Sequence, residues 1–161
     1  MTKTISKSNA LMMEEIRQLI SHGKTVTITV KGNSMNPFIV HERDQITLGP
    51  WKKEDLRKGT VALVKDSRNT YLIHRIIRID DETVTLLGDG NIGYTECATL
   101  DNVIGIMYSI TRKGRIWRPE DRMWRIYSWF WSVLTPVRRL PLGIWRRLNP
   151  RKVFLRQGQN C

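Results

Sequence analysis

The sequence predicts a mainly β, partly barrel-like domain with one helix before it and a helical tail behind it. Three observations carry that class. Polar and β-branched residues alternate in short runs, turn residues separate the runs, and composition changes abruptly near residue 116. In chain order, Ser8 can cap a helix reaching about Ser21, with Met12, Ile16, Leu19 and Ile20 at helical spacing and Gly23 as its stop. Strands follow at about 25–31, 45–49, 60–65, 70–79, 83–87 and 103–111. Asp80-Asp81-Glu82 supplies a turn between two of them, and Lys113-Gly114 closes the last. Six short strands with few helices fit a small β fold. The chain therefore divides into an N-terminal helix (1–24), a β domain (25–116) and a basic, tryptophan-rich tail (117–161).

The first strand, Thr25 to Lys31, breaks at Gly32 and turns at Pro37, so Gly32-Asn33-Ser34-Met35-Asn36-Pro37 holds one serine on backbone with little freedom. Forty residues on, Tyr71-Leu72-Ile73-His74-Arg75-Ile76-Ile77-Arg78-Ile79 carries a histidine mid-strand, and Leu87-Gly88-Asp89-Gly90-Asn91 follows. A serine hydroxyl is a poor nucleophile at neutral pH and needs a base within hydrogen-bond reach, and that base needs an orienting partner. Ser34, His74 and Asp89 can fill these roles in that order. For each there is a plain alternative: a turn serine capping an amide, a strand histidine bonded to backbone, and an aspartate in a tight turn. His22, at the helix end, and His41, before Glu42, read as solvated.

These segments resemble the catalytic core of the type I signal peptidases and the related LexA-like peptidases, from roughly Thr25 to Arg115. Gly-Asn-Ser-Met-Asn-Pro is similar to the box that carries their nucleophile, and Lys58-Gly59-Thr60-Val61-Ala62-Leu63-Val64 to the strand after it. His74-Arg75 stands where many relatives carry a catalytic lysine, a pattern that resembles the endoplasmic-reticulum and archaeal branch. Gly88-Asp89-Gly90-Asn91 resembles that branch's aspartate box. The resemblance implies a signal-peptidase/LexA-like fold and a serine endopeptidase that cuts an extended peptide after a small residue, needing no cofactor or metal. A histidine suits the base because its free value of about 6.5 lies near working pH, whereas lysine at about 10.4 must be desolvated. Further aspartates follow the box in that branch. Here those positions hold Tyr94 and Thr95, with Glu96 next, so the third member lies between Asp89 and Glu96, and Asp89 is favoured. The Ser34 amide is the natural first oxyanion donor. Gly32 replaces a serine that donates in many bacterial relatives.

At 161 residues, 40% hydrophobic and 26% charged, the chain is long and apolar enough for one folded domain, and it is not a disordered one. Of the net charge of +12, the tail carries +8, from ten Lys/Arg against Glu120 and Asp121. Five of the six tryptophans also lie there. Three scattered histidines offer no metal set. Cys97 and Cys161 suggest no disulfide framework and lean towards a reducing compartment. Neither an N-terminal signal peptide nor a run of about 20 apolar residues is present. The expected partners are a peptide or protein substrate and an anionic membrane surface met through 117–148, where aromatic rings sit beside arginines. The expected location is cytoplasmic, peripheral at the inner membrane face. Nucleic acid is not expected, since no basic stripe extends onto the domain, and the sequence is silent on oligomeric state. Two other classes stand beside the peptidase. A LexA-like self-cleaving regulator would need an Ala-Gly or Cys-Gly dipeptide, and neither occurs. A non-catalytic module on the same fold would bind lipid or nucleic acid through the tail.

Overall fold

Successive side chains leave a strand on opposite faces, so the apolar pattern of each strand reports how many of its faces are covered. In the computed structural model, which describes residues 9–92, 94–134 and 139–148, eight strands form one antiparallel sheet. They are β1 (Val26–Thr29), β2 (Asp44–Gly49), β3 (Val61–Lys65), β4 (Tyr71–Ile79), β5 (Thr83–Leu87), β6 (Glu96–Thr99), β7 (Val103–Arg112) and β8 (Arg115–Trp117). Their order is β1-β2-β7-β3-β4-β5-β6, with β8 paired to β7. The helices are α1 (Asn9–Ser21), α2 (Arg122–Val133) and α3 (Arg139–Leu148). All six expected strands are present, and β6 and β8 are additions. The cap expected at Ser8 lies outside the described residues.

Strand β3 sits in the middle of the sheet and is covered on both faces, which is why Val61-Ala62-Leu63-Val64 is apolar without alternation. Val61 and Leu63 enter one core with Ile16 and Ile20 of α1, Leu48 and Ile104. Ala62 and Val64 enter a second core with Ile76, Leu86 and Ala98. The close seat of α1 depends on Gly105, where a Cβ would stand 2.8 Å from the Ile20 side chain. Trp124 of α2 belongs to the first core, so the tail's first helix packs on the β domain. Cys97 of β6 is disulfide-bonded, where the sequence suggested no disulfide framework.

The loop that leads from β1 through Ser34 to β2 is anchored at its far end by Asp44, whose side chain is fully buried. Burial alone would raise its carboxyl, but hydrogen bonds from Arg43, Arg112 and the Val40 amide outweigh that and hold it at about 2, against 3.8 ordinarily. Arg112 also donates to the Phe38 carbonyl within the same loop. A carboxylate depressed on folding stabilises the native state above its unfolded value and loses that contribution as pH falls towards the folded value. Asp44 is thus expected to contribute about 2 kcal/mol that is complete above about pH 4 and gone near pH 2. Urea melts at pH 5 and pH 2.5 would check this. Asp44→Asn, weaker at pH 5, should lack that share of the acid loss, and equal losses in the two proteins would sink the assignment.

Candidate active site

Ser34 sits in a turn whose entry uses Gly32 at φ +101°, a conformation that suits a residue without Cβ. The Gly32 amide donates to His41 Nδ1 at 3.0 Å, so His41 braces the turn and is not a merely solvated side chain. Asn36 donates its amide to the Asn33 carbonyl at 3.1 Å, and the Asn36–Pro37 bond is cis. The turn is pressed against the segment after β5. The Gly90 amide donates to the Ser34 carbonyl at 2.7 Å. A Cβ on Gly88 would stand 2.5 Å from that same carbonyl, and one on Gly90 2.9 Å from the Asn33 carbonyl. Both glycines are therefore required by proximity; neither has positive φ.

That contact places Ser34 relative to His74. Arg75 of β4 pairs with Leu87 of β5, so their side chains share a face of the sheet, and His74 and Gly88, one residue along each strand, address the other. The Ser34 carbonyl occupies the space a Gly88 side chain would take, so the Ser34 turn abuts the residue that continues β5 opposite His74, while Met35 and Ile39 of the same loop pack into the first core. No hydrogen bond joins the Ser34 hydroxyl to His74 among the described residues. Catalytic hydrogen bonds often tighten only when substrate is bound.

His74 Nδ1 lies 3.0 Å from Glu96 Oε2, with the two side chains 5% and 6% exposed. Glu96 belongs to β6, on the far side of β5, so the pair reaches across one intervening strand. An ionised carboxylate only accepts hydrogen bonds, so beside one Nδ1 is the donor, and in the neutral imidazole Nε2 is then the nitrogen with the lone pair. This is the arrangement of a general base with its orienting acid.

Asp89, expected to orient His74, does something else. It takes a bidentate ion pair from Arg75, Nε to Oδ1 at 2.8 Å and Nη2 to Oδ2 at 2.7 Å, and the carboxylate in contact with His74 is that of Glu96. Alternation explains the correction: Asp89 follows Leu87 by two residues and falls with it on the Arg75 face, away from His74. Arg75 is the largest fully buried side chain. Burial acts to lower its guanidinium, but the charge and hydrogen bonds of Asp89, with a contribution from Tyr127, hold it above its ordinary value. Helix α2 closes over this pair. Ser128 Oγ accepts from Arg75 Nη1 at 2.9 Å, Tyr127 donates to Asp89 Oδ2 at 3.4 Å, and the Trp131 indole donates to the Asp89 carbonyl at 3.1 Å. Phe38 stacks on Tyr127 at 4.2 Å and meets Trp124 edge-on at 4.5 Å, tying α2 to the loop that follows Ser34.

Sequence reasoning missed Asn91 as a functional candidate. Its side-chain Nδ2 is buried without a hydrogen-bond partner and stands 2.7 Å from the position of a Gly88 Cβ, beside the Ser34 carbonyl. A buried donor left unspent costs about 1–3 kcal/mol, so it calls for a role. The Ser34 amide likewise makes no backbone hydrogen bond among the described residues. Both are donors close to the Ser34 turn that the described residues leave unspent. No protein-family model matches this chain, and no curated protein matches it.

Proposed function

We propose that the chain is a serine endopeptidase of signal-peptidase-like type. The observation that carries this reading is the buried His74–Glu96 contact, with the Ser34 turn pressed against the Gly88–Gly90 segment that continues β5 opposite His74. Ser34 Oγ attacks the scissile carbonyl carbon while His74 Nε2 takes its proton. The carbonyl π pair moves onto oxygen and is met by the Ser34 amide, with Asn91 Nδ2 as the second donor. Collapse expels the amine, which takes the proton back from His74, and water, activated by the same imidazole, releases the acid. The substrate enters as an extended strand, and the small residue before the scissile bond is carried over from the resemblance. Asp89 and Arg75 act by fixing the turn that supports Ser34.

The test is covalent capture. A fluorophosphonate should add to Ser34, found by mass spectrometry of the digested protein, and the addition should slow by orders of magnitude in His74→Ala. A wild-type chain that takes no label while remaining folded would remove the peptidase reading.

Membrane seating is part of the proposal. Helix α2 turns Trp124, Tyr127 and Trp131 towards the domain and leaves Trp129 68% exposed, beside exposed Met123, Ile126, Phe130 and Val133. Leu140, Ile144 and Leu148 of α3 are exposed at helical spacing as well. No helix among the described residues is long and apolar enough to cross a membrane, and such stripes suit a helix lying in the interface. On this reading the chain acts as a peripheral enzyme at the inner membrane face.

A further inference from the structure

A groove of about 1200 Å³ runs between α2, the start of β3 and the middle of β7, and neither Ser34 nor His74 lines it. Its rim carries Arg57, Lys58, Arg118 and Arg125, and no ion pair among the described residues includes any of the four. Two carboxylates also line it, Asp55 and Glu120, so the local balance is cationic. The Asp55 carboxylate is already engaged by the Lys52 amide at 2.9 Å. The floor is apolar and aromatic, and two of its side chains, Trp129 and Val133, belong also to the exposed stripe of α2. Cationic rim, apolar floor and exposed stripe thus form one continuous surface.

We infer that this groove binds the headgroup and upper acyl region of an anionic phospholipid while α2 lies in the bilayer interface. The inference rests on the membrane-seating part of the proposal above and not on the peptidase chemistry. Its occupant follows from charge and shape together. An acidic peptide would satisfy the arginines but would leave the adjoining apolar stripe in water. A phospholipid places phosphate at the rim and chains against the stripe, and each basic residue near an anionic surface adds to the attraction. Arg57 and Lys58 come from the β domain and Arg118 and Arg125 from the tail, so lipid would bridge the two.

The test is sedimentation of the full chain with vesicles of pure phosphatidylcholine and with an equimolar mixture of phosphatidylcholine and phosphatidylglycerol. Wild type should prefer the mixture, and added salt should weaken that preference. Replacing all four cations by Ala should cut binding to the mixture by at least about tenfold, leave binding to phosphatidylcholine unchanged, and leave Ser34 labelling in lipid-free buffer unchanged. Trp129→Ser should weaken binding to both vesicles. A quadruple variant that pellets like wild type would overturn the headgroup site alone. Failure of wild type to pellet with either vesicle would overturn the seating reading along with it, and tighter binding to an acidic peptide than to the mixed vesicles would replace lipid with protein.

Discussion

Glu96→Gln is expected to lower turnover of a cleavable peptide by about 10⁴-fold, with the protein still folded. The substitution keeps shape and a hydrogen-bonding group at His74 Nδ1 but, on the peptidase reading, removes the charge that would stabilise the imidazolium formed when Ser34 gives up its proton. The amide can also present its NH₂ to Nδ1, which selects the wrong tautomer and puts the proton on the nitrogen that must accept one. Because the pair is buried, no solvent is at hand to replace the carboxylate. Ser34→Ala and His74→Ala should each abolish turnover on the peptidase reading. Initial rates, with circular dichroism as the control for folding, decide the matter. Glu96→Gln at close to the wild-type rate would leave His74 without an orienting acid and would sink the triad.

Asp89→Ala should act on stability first. It leaves the Arg75 guanidinium buried with its carboxylate gone, and breaking a buried pair on one side costs about 3–5 kcal/mol. Against a total stability of about 5–15 kcal/mol, that is a large share of what holds the domain together. For a chain of this length the melting temperature should drop by about 10 °C or more. Deleting the tail from Arg118 onward strips Ser128, Tyr127 and Trp131 from the same pair and should also lower it, while the sheet keeps its own ladder. The double change Asp89→Ala with Arg75→Met should recover much of the loss, because an apolar pair in that place needs no partner. Thermal melts of the four proteins would show this. An Asp89→Ala melt that overlays wild type would mean that Arg75 finds another acceptor.

Most of the sheet was legible because its strands are long enough to display a period: β4 spans nine residues and β7 ten. The strands that escaped are short. Glu96-Cys97-Ala98-Thr99 has four residues and opens on a charge, and Arg115-Ile116-Trp117 has three. Missing β6 also tilted the site, because Glu96 becomes a plausible partner of His74 only once it sits on a strand facing the same core as Ala98. The rule that separates His74 from Arg75 applies to Leu87 and Asp89 as well, and it would have set Asp89 beside the arginine. In the tail, the tryptophans divide by helical period. Trp124 and Trp131, seven residues apart with Tyr127 and Ser128 between them, share the docked face, and Trp129 does not. Asn91 left no sequence signal, since its meaning lies in a donor without a partner.

The helix that closes over Asp89 is made late. When a ribosome has released the chain as far as β7, Ser34, His74 and Glu96 have all been synthesised, and the sheet that gathers them can begin to pair. Arg75 and Asp89 then still lack Tyr127, Ser128 and Trp131, so the turn under Ser34 has one side of its support bare. On the peptidase reading, the site would lack that support through most of the chain's synthesis and gain it only when residues 122–133 dock. On that reading, the order of synthesis would keep the site from forming until the chain is nearly finished.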